Sequence, residues 1–422
     1  MRWPRKINAG ALQFVLFMGT VIALLLMGFL LVSHTHNHFF KQTDQMVAVI
    51  RASEAGIINY LNRSPLSENG APKPSFAFEG TEVSVVSDYW GVFRKVSSTA
   101  RKGKQWFRKS ALIGVAKDTL NALYLEDHQR PMVIAGDALI RGTAYLPERG
   151  IKMGNIRGQG YFREQLIYGT QRKSTSDMPQ LQPALENYLK QLTHSADDPS
   201  TEELQLSGNS NLQNSFFNGL KMLKEETIIL EHTRITGHIM IWAGRKIVVE
   251  PSATLKDVIL VAPEIIILDG VEGYFQAIAS EKLSVGKHCS LAYPSALLIY
   301  PTEKKVESNN VEEPDLFIDE NSSVKGIVGY YSVENEGQYA PQLSIAPTTV
   351  VEGEVYCSNN LELKGTVLGT VYTSGFIAME QGSVYMNHLF KGKIDNPGLA
   401  EAYAGWELQD NSRSNKIVKW LY

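Results

Sequence analysis

The chain has 422 residues, of which 44% are hydrophobic and 20% charged, so it can form one large domain or two to three ordinary ones. Its formal net charge of −3 provides no basic surplus for a phosphate backbone, which argues against a nucleic-acid-binding protein. Two cysteines exclude a disulfide scaffold. The chain has no CxxC or HExxH spacing, so no metal or other cofactor is predicted.

An uncharged apolar run begins at Ala9 and ends at Ser33. Its 25 residues would form about 37 Å of helix, against a hydrocarbon core of about 30 Å. The run therefore predicts a single transmembrane helix in a lipid bilayer. Three basic residues precede the run, which predicts a cytoplasmic N-terminus and a body outside the membrane: Arg2, Arg5 and Lys6.

A helical rhythm continues past the apolar run to about Asn62, and Pro65 breaks it. Residues 1–64 are therefore predicted to form a transmembrane and extended helix. Residues 65–130 are predicted to form a small α+β region, with short apolar runs marking strands at 83–86, 92–96, 106–107 and 111–115.

A short repeat occupies residues 131–395. Each copy has an apolar pair around one variable residue, a turn and a second apolar residue followed closely by glycine, and uninterrupted copies return every 16–20 residues. This spacing suits a coil of about three short strands, so the repeat predicts a parallel β-helix, or β-solenoid, in a mainly β protein. Val355-Tyr356 and Val371-Tyr372 hold equal places in successive copies. The alternative is a β-sandwich with regularly spaced hairpins.

Glycines close the repeat copies and are predicted to turn the solenoid corners with positive φ: Gly142, Gly158, Gly237, Gly273, Gly326, Gly353 and Gly369. Residues 179–226 are predicted to be a helical insertion, with helices at 181–192 and 216–223. Residues 396–422 are predicted to be a C-terminal cap, in which Trp420 and Leu421 cover the open end of the solenoid.

No catalytic constellation emerges from the sequence. Asp257 and Asp269 stand near predicted corners but are 12 residues apart, which places them on different turns, where solvated corner aspartates are the more common outcome. The protein is therefore predicted not to be an enzyme. Five tyrosines recur near the repeat landmarks and would form either a sugar-stacking surface or a buried ladder: Tyr330, Tyr331, Tyr356, Tyr372 and Tyr385.

A basic cluster surrounds Trp106 and Phe107. It would engage anionic lipid or a glycan chain, or it would simply be the charged tip of a hairpin in solvent. Its members are Arg101, Lys102, Lys104, Arg108 and Lys109.

The first 115 residues resemble minor pilins and pseudopilins of type IV pili and type II secretion systems, which have a short basic leader, a long apolar helix and a small sheet. Residues 52–56, Ala-Ser-Glu-Ala-Gly, are similar to a stretch late in such helices, and 83–86 followed by 93–99 are similar to the strand pair after it. A leader cut after Gly10 would place Val15 where major pilins have glutamate.

The pilin resemblance implies a bacterial envelope location, periplasmic or at the cell surface, and protein partners in an envelope assembly. The helix would pack laterally against other helices through small residues, together with Glu54. The small residues are Gly10, Gly19 and Gly28.

The repeats resemble bactofilin-type polymer-forming solenoids, notably at Val351–Tyr356 and Val367–Tyr372. Together, these features predict a membrane-anchored structural or assembly protein, a pilin-like component of a pilus or secretion apparatus that presents a β-solenoid. The alternative is a cell-envelope polysaccharide-binding or polysaccharide-degrading β-helix protein, for which a glycan would be the ligand.

Overall fold

The computed structural model describes residues 10–62, 73–116, 121–194, 202–206, 210–301, 313–332, 339–409 and 414–422. The fold is mainly β, with 54% strand, and it consists of two compact units. The first unit contains residues 10–56, Lys73–Val85 and Ser98–Lys109. The second contains residues 57–62, Val86–Ser97 and the described residues from Ser110 onward.

A long helix runs from Gly10 to Asn62. Within the described chain it is the one helix long and apolar enough to cross a membrane. The side chains of its apolar run are exposed, as at Leu24, which is 68% exposed. Burial begins only near the C-terminal end, where Val49, Ala52 and Ile57 are completely buried. The helix therefore has an apolar half with exposed side chains and a C-terminal part in which side chains are buried.

A five-stranded sheet follows the helix. Its strands lie in the order Lys73–Phe78, Thr81–Trp90, Phe93–Lys102, Gln105–Ala116 and Ser414–Leu421. Gly80, Gly91 and Gly103, at φ 73°, 62° and 61°, supply the left-handed backbone that the tight turns between the first four strands require.

The C-terminal strand Ser414–Leu421 pairs antiparallel with Ser110–Ala116. Trp420 lies opposite Ala111 and Leu421 opposite Ser110. The prediction that these two residues cap a solenoid is therefore wrong. The tail instead pairs its backbone N–H and C=O groups with a sheet edge that would otherwise be open.

The other strands form a larger sheet that closes on itself like a barrel. Its strands are Asn121–Leu125, Leu139–Arg141, Thr143–Leu146, Gln171–Lys173, Glu202–Leu204, Asn211–Asn214, Lys221–Leu230, Arg234–Gly237, Ile239–Val249, Thr254–Ile267, Glu272–Val285, Ser290–Ile299, Leu316–Ile318, Ser323–Tyr330, Leu343–Ile345, Val350–Leu363, Thr366–Glu380, Ser383–Met386 and Lys393–Asp395. Two small groups complete the β structure, one of Met132–Ala135, Ile151–Met153 and His388–Phe390, the other of Asn155–Ile156 and Gln159–Gly160.

The long strands of the larger sheet pair in parallel, and the last ones do so in the register that the repeat predicted. Gly353 pairs with Gly369, and Tyr356 pairs with Tyr372. The β-sandwich alternative is wrong, because a sandwich of hairpins would pair these strands antiparallel.

Inward-facing apolar residues stack from strand to strand in this sheet. One ladder of paired residues runs through Ile241, Leu260, Ala277, Leu297, Val328, Val355, Val371, Leu123 and Ala144. All of them belong to a single buried apolar cluster. Burial of this continuous apolar column is the main favourable contribution to the stability of the sheet.

Two element predictions are wrong. Strand Asn121–Leu125 pairs in parallel with Thr366–Glu380, so the parallel sheet begins before residue 131, because Leu123 and Leu125 match its apolar interior. Residues 216–223 are not helical, although helix Pro183–His194 lies in the predicted insertion. A turn leads there into strand Lys221–Leu230, whose backbone pairs with the neighbouring strand Ile239–Val249 and so overrides the local helical pattern.

Most of the predicted corner glycines have positive φ. The values are 120° at Gly142, 83° at Gly158, 96° at Gly237, 139° at Gly326, and 151° at both Gly353 and Gly369. Gly273 differs, because the chain turns earlier, at Gly270 (φ 75°), and Gly273 lies within strand Glu272–Val285. Gly158 turns the short antiparallel hairpin Asn155–Ile156/Gln159–Gly160, which lies outside the parallel sheet.

Candidate functional site

The C-terminal part of the long helix packs closely on the strands of its own unit. A Cβ atom at Gly56 would lie 2.1 Å from Oγ of Ser98 and 2.9 Å from a methyl carbon of Val83, so glycine is needed for this approach. Two residues earlier, Oε2 of Glu54 accepts a hydrogen bond of 3.0 Å from Nζ of Lys109. Glu54, predicted to act in helix packing, therefore forms an ion pair within its own chain.

The other residues predicted for helix packing lie in the exposed half of the helix. A Cβ atom at Gly10, Gly19 or Gly28 would meet no heavy atom within 4 Å. These three positions leave the helix backbone accessible to another helix or to lipid.

A row of stacked tyrosine rings crosses neighbouring strands of the larger sheet. Its centroid spacings are 5.7–6.3 Å, in the order Tyr300, Tyr331, Tyr356, Tyr372, Tyr124 and Tyr145. The chain before helix Pro183–His194 covers part of this row, where Tyr356 donates to the carbonyl oxygen of Pro179 at 3.0 Å and Tyr331 to Oε1 of Gln180 at 2.9 Å.

The central rings of the tyrosine row are too buried to stack on a sugar. Tyr331, Tyr356 and Tyr372 are at most 2% exposed, and Tyr330 points into the apolar interior. Tyr385 is only partly buried and packs on His388. The buried-ladder interpretation is correct, because these rings are needed to cover the outer face of the sheet.

The two aspartates near predicted corners both have structural partners. Asp257 accepts hydrogen bonds of 2.6 and 2.7 Å from Nζ of Lys419. Asp269 accepts one of 2.8 Å from the backbone N–H of Lys287. Within the described part of the chain, no group of three or more His, Cys, Asp or Glu side chains could hold a metal ion.

A cavity of about 610 Å³ opens beside helix Pro183–His194 in the second unit. Its walls are largely aromatic and aliphatic, from Tyr89, Trp90, Ala184, Tyr188, Leu192, Leu220 and Met240. The polar groups that line it are Asp88, Lys95, Asn187, Gln191 and His238. Mostly apolar walls with a few converging polar groups are typical of a small-molecule or side-chain binding site.

His238 is the histidine that lines this cavity, and it is 8% exposed. Its Nδ1 lies 3.1 Å from the carbonyl oxygen of Asn218, and its Nε2 lies 3.4 Å from Nζ of Lys95. A neutral ring that donates from Nδ1 and accepts at Nε2 satisfies both contacts. Burial, and then the positive charge of Lys95, lower the pKa of His238 to about 4.

We expect His238 to remain neutral in the folded protein until the pH falls to about 4. A histidine in an unfolded chain titrates near pH 6.5, at about its reference pKa, so the unfolded state takes up the proton first. The stability contributed by the neutral ring is therefore complete above about pH 6.5 and is lost as the pH falls toward about 4. An NMR titration of the His238 ring measures this pKa directly.

The matching variant is His238→Asn, which keeps a donor near the carbonyl oxygen of Asn218 but does not titrate. Its free energy of unfolding, measured by urea denaturation, should fall less between pH 6.5 and pH 4 than that of the unmodified chain. A His238 ring that titrates near pH 6.5 in the folded protein would contradict this prediction.

A buried ion pair ties the C-terminal segment to the same region. Arg94 donates from Nε and Nη2 to the two carboxylate oxygens of Glu407, each at 2.8 Å, and Tyr89 donates to Glu407 at 2.8 Å. Arg94 and Glu407 are each 1% exposed. The two bonds from Arg94 and the one from Tyr89 compensate for the hydration that the two charges lose on burial.

The sequence analysis missed both the cavity and the ion pair. Arg94 and Glu407 are 313 residues apart, so no local pattern connects them. One signal was present, because Arg94 has Val92 two residues before it and Val96 two residues after it, which are both completely buried. A charge between two inward-facing valines indicates a buried partner.

No protein-family model matches this chain. No curated protein matches it either. Among solved structures, the chain is similar to the competence-associated pilin ComZ from Thermus thermophilus, with 10% sequence identity and a TM-score of 0.22 over 89% of this chain and 97% of that one. That TM-score is too low to establish a shared fold.

Proposed function

We propose that the protein is a membrane-anchored structural or assembly protein of the bacterial envelope, a pilin-like component of a pilus or secretion apparatus. The observation that carries this proposal is the helix Gly10–Asn62, whose apolar half is exposed while its C-terminal part packs on the strands of its own unit. An apolar surface of that length requires lipid or partner helices around it.

We further infer a cytoplasmic N-terminus and a β-rich body outside, because Arg2, Arg5 and Lys6 precede the apolar run. We interpret the larger parallel sheet as a β-solenoid. The apolar ladder through Val355 and Val371 and the in-register tyrosines support this interpretation. A bactofilin-like polymer is not supported by any of the comparisons.

The helix would bring the protein into an envelope assembly through the faces around Gly10, Gly19 and Gly28, where nothing in the described chain lies within 4 Å of a Cβ position. The polysaccharide alternative has less support, because four of the five candidate stacking rings are buried and the candidate aspartates are engaged by Lys419 and Lys287. We infer that the protein has no enzymatic activity.

We expect the full chain to float with phospholipid vesicles and to resist extraction by carbonate. Replacing two residues at the centre of the apolar run, as in Leu24→Arg/Leu25→Arg, adds about 3 kcal/mol per residue to the free energy of insertion, so most of this variant should be released. Leu24→Val/Leu25→Val is the matched control and should stay with the vesicles. Release of the unmodified chain by carbonate would refute the anchor.

The orientation is tested separately, in bacterial cells that express the chain. A phosphatase fused after Tyr422 should be active, because it would be exported with the body. An inactive phosphatase fusion, together with a fluorescent-protein fusion at the same position that is fluorescent in the cytoplasm, would overturn the proposed orientation while leaving the anchor intact.

A further inference from the structure

A basic and aromatic tip surrounds the turn at Gly103, between strands Phe93–Lys102 and Gln105–Ala116. We call residues 101–108 the hairpin tip. We propose that the hairpin tip binds the anionic phospholipid headgroups of the same membrane that the long helix spans. This inference rests on the proposed membrane anchor.

The hairpin tip carries an excess of positive charge. Arg101 and Lys104 are exposed, Lys102 is half-buried, and none of the three forms an ion pair among the described residues. Arg108 donates to Oγ1 of Thr99 at 3.2 Å and keeps its charge. These four cations outnumber the carboxylates of the neighbouring hairpin, Glu79 and Glu82.

An exposed indole lies among these cations. Trp106 is 56% exposed, and a large aromatic ring in water next to several basic side chains matches the chemistry of a membrane interface, where indole rings occupy the headgroup level. The helix also has exposed aromatic side chains just beyond the apolar run, where Phe39 and Phe40 are 62% and 77% exposed. These positions would lie at the headgroup level of the membrane.

The hairpin tip belongs to the same compact unit as the long helix. Residues 98–109 belong to the same compact unit as helix residues 10–56. Within that unit the strand ends contact the helix at Gly56, through Ser98, and at Glu54, through Lys109. The buried helix positions before Glu54 in this unit are Val49, Ala52 and Ser53, so the cover of the helix extends a short way from Glu54 toward the apolar run.

The lengths of the two elements allow the hairpin tip to reach the lipid surface when the strand runs along the helix toward the apolar run. Glu54 lies 21 residues after Ser33, the end of the uncharged run, which corresponds to about 32 Å of helix. Lys104 lies 5 residues before Lys109, which corresponds to about 17 Å of strand. If the strand runs beside the helix toward the apolar run, the distance from Lys104 to the level of Ser33 is about 15 Å. The headgroup layer of about 5–7 Å and a Debye length of about 8–10 Å together span that distance.

The experiment places a spin label at the turn of the full chain, as Gln105→Cys, reconstituted in vesicles of phosphatidylcholine with or without phosphatidylglycerol. The native cysteines will not compete for the label, because Cys289 and Cys357 are 2% and 0% exposed. Electron paramagnetic resonance then measures the access of a water-soluble relaxation agent to the label.

We expect phosphatidylglycerol to protect the label, and high salt to remove this protection. Each basic residue at an anionic surface contributes about fivefold to the bound-to-free ratio. Lys102→Glu/Lys104→Glu should therefore lower the ratio by at least about 25-fold and abolish protection. Lys152→Glu/Lys256→Glu changes the net charge equally at two exposed residues elsewhere and should leave protection unchanged.

The possible failures are distinct. Equal access in neutral and anionic vesicles, with the protein still floating, would overturn the lipid contact and leave the anchor standing, and a hairpin tip that instead serves a protein partner would give this result. A protein that does not float with either vesicle would overturn both the anchor and the inference.

Discussion

Replacing Glu407 with alanine is expected to lower the free energy of unfolding by about 3–5 kcal/mol, because it leaves a buried guanidinium without a counter-charge. Arg94 is 1% exposed and has both of its 2.8 Å bonds to the carboxylate oxygens of Glu407. The Tyr89 hydroxyl would lose its acceptor at the same time. The shift is measured by urea unfolding of the solubilised full chain, followed by circular dichroism.

Two comparison variants separate the loss of a charge partner from the loss of packing. The triple variant Arg94→Met/Glu407→Leu/Tyr89→Phe removes the buried cation, its carboxylate and the tyrosine hydroxyl together, so it should recover most of the stability lost in Glu407→Ala. Lys173→Ala breaks the ion pair with Glu148, whose side chains are 74% and 72% exposed, and should leave the unfolding midpoint unchanged. A triple variant as unstable as Glu407→Ala would contradict the explanation.

The parts of the fold that could be predicted are those that a local or repeated sequence pattern determines. The long helix follows from an uninterrupted apolar run and a helical period. The pairing of Tyr356 with Tyr372 follows from a repeat of constant length, because stacked parallel strands place equivalent residues side by side. Both signals are properties of a single stretch or of its copies.

The parts that could not be predicted depend on contacts between distant segments. Phe216 lies in an apolar pattern that reads as helical, yet its ring packs 5.5 Å from that of Trp90 and 4.9 Å from that of His238, and the strand that follows is set by its parallel neighbour. The tail around Trp420 reads as a cap because the open strand edge at Ser110–Ala116 cannot be seen in the sequence. The cavity at His238 has the same origin, since its walls come from four separated segments.

Replacing Gly353 with alanine is expected to destabilise the parallel sheet by more than about 2 kcal/mol, because two independent penalties combine. The residue has φ 151°, and a Cβ atom there would lie 1.9 Å from the carbonyl oxygen of Gly326, a backbone atom that cannot move without opening the ladder. Gly326, Gly353 and Gly369 pair in successive strands, so the displacement would pass to the neighbours on both sides.

The control is Gly158→Ala, which isolates the steric part of this effect. Gly158 also has positive φ, at 83°, but nothing lies within 4 Å of its Cβ position. Alanine there should therefore cost only the backbone strain of about 1 kcal/mol, and the difference between the two urea midpoints reports the clash with the next strand. Because a Cβ atom at Gly369 would likewise lie 1.9 Å from a backbone carbonyl oxygen, that of Gly353, Gly369→Ala should resemble Gly353→Ala. Equal midpoints for Gly158→Ala and Gly353→Ala would show that the close backbone stacking of these strands contributes nothing to their stability.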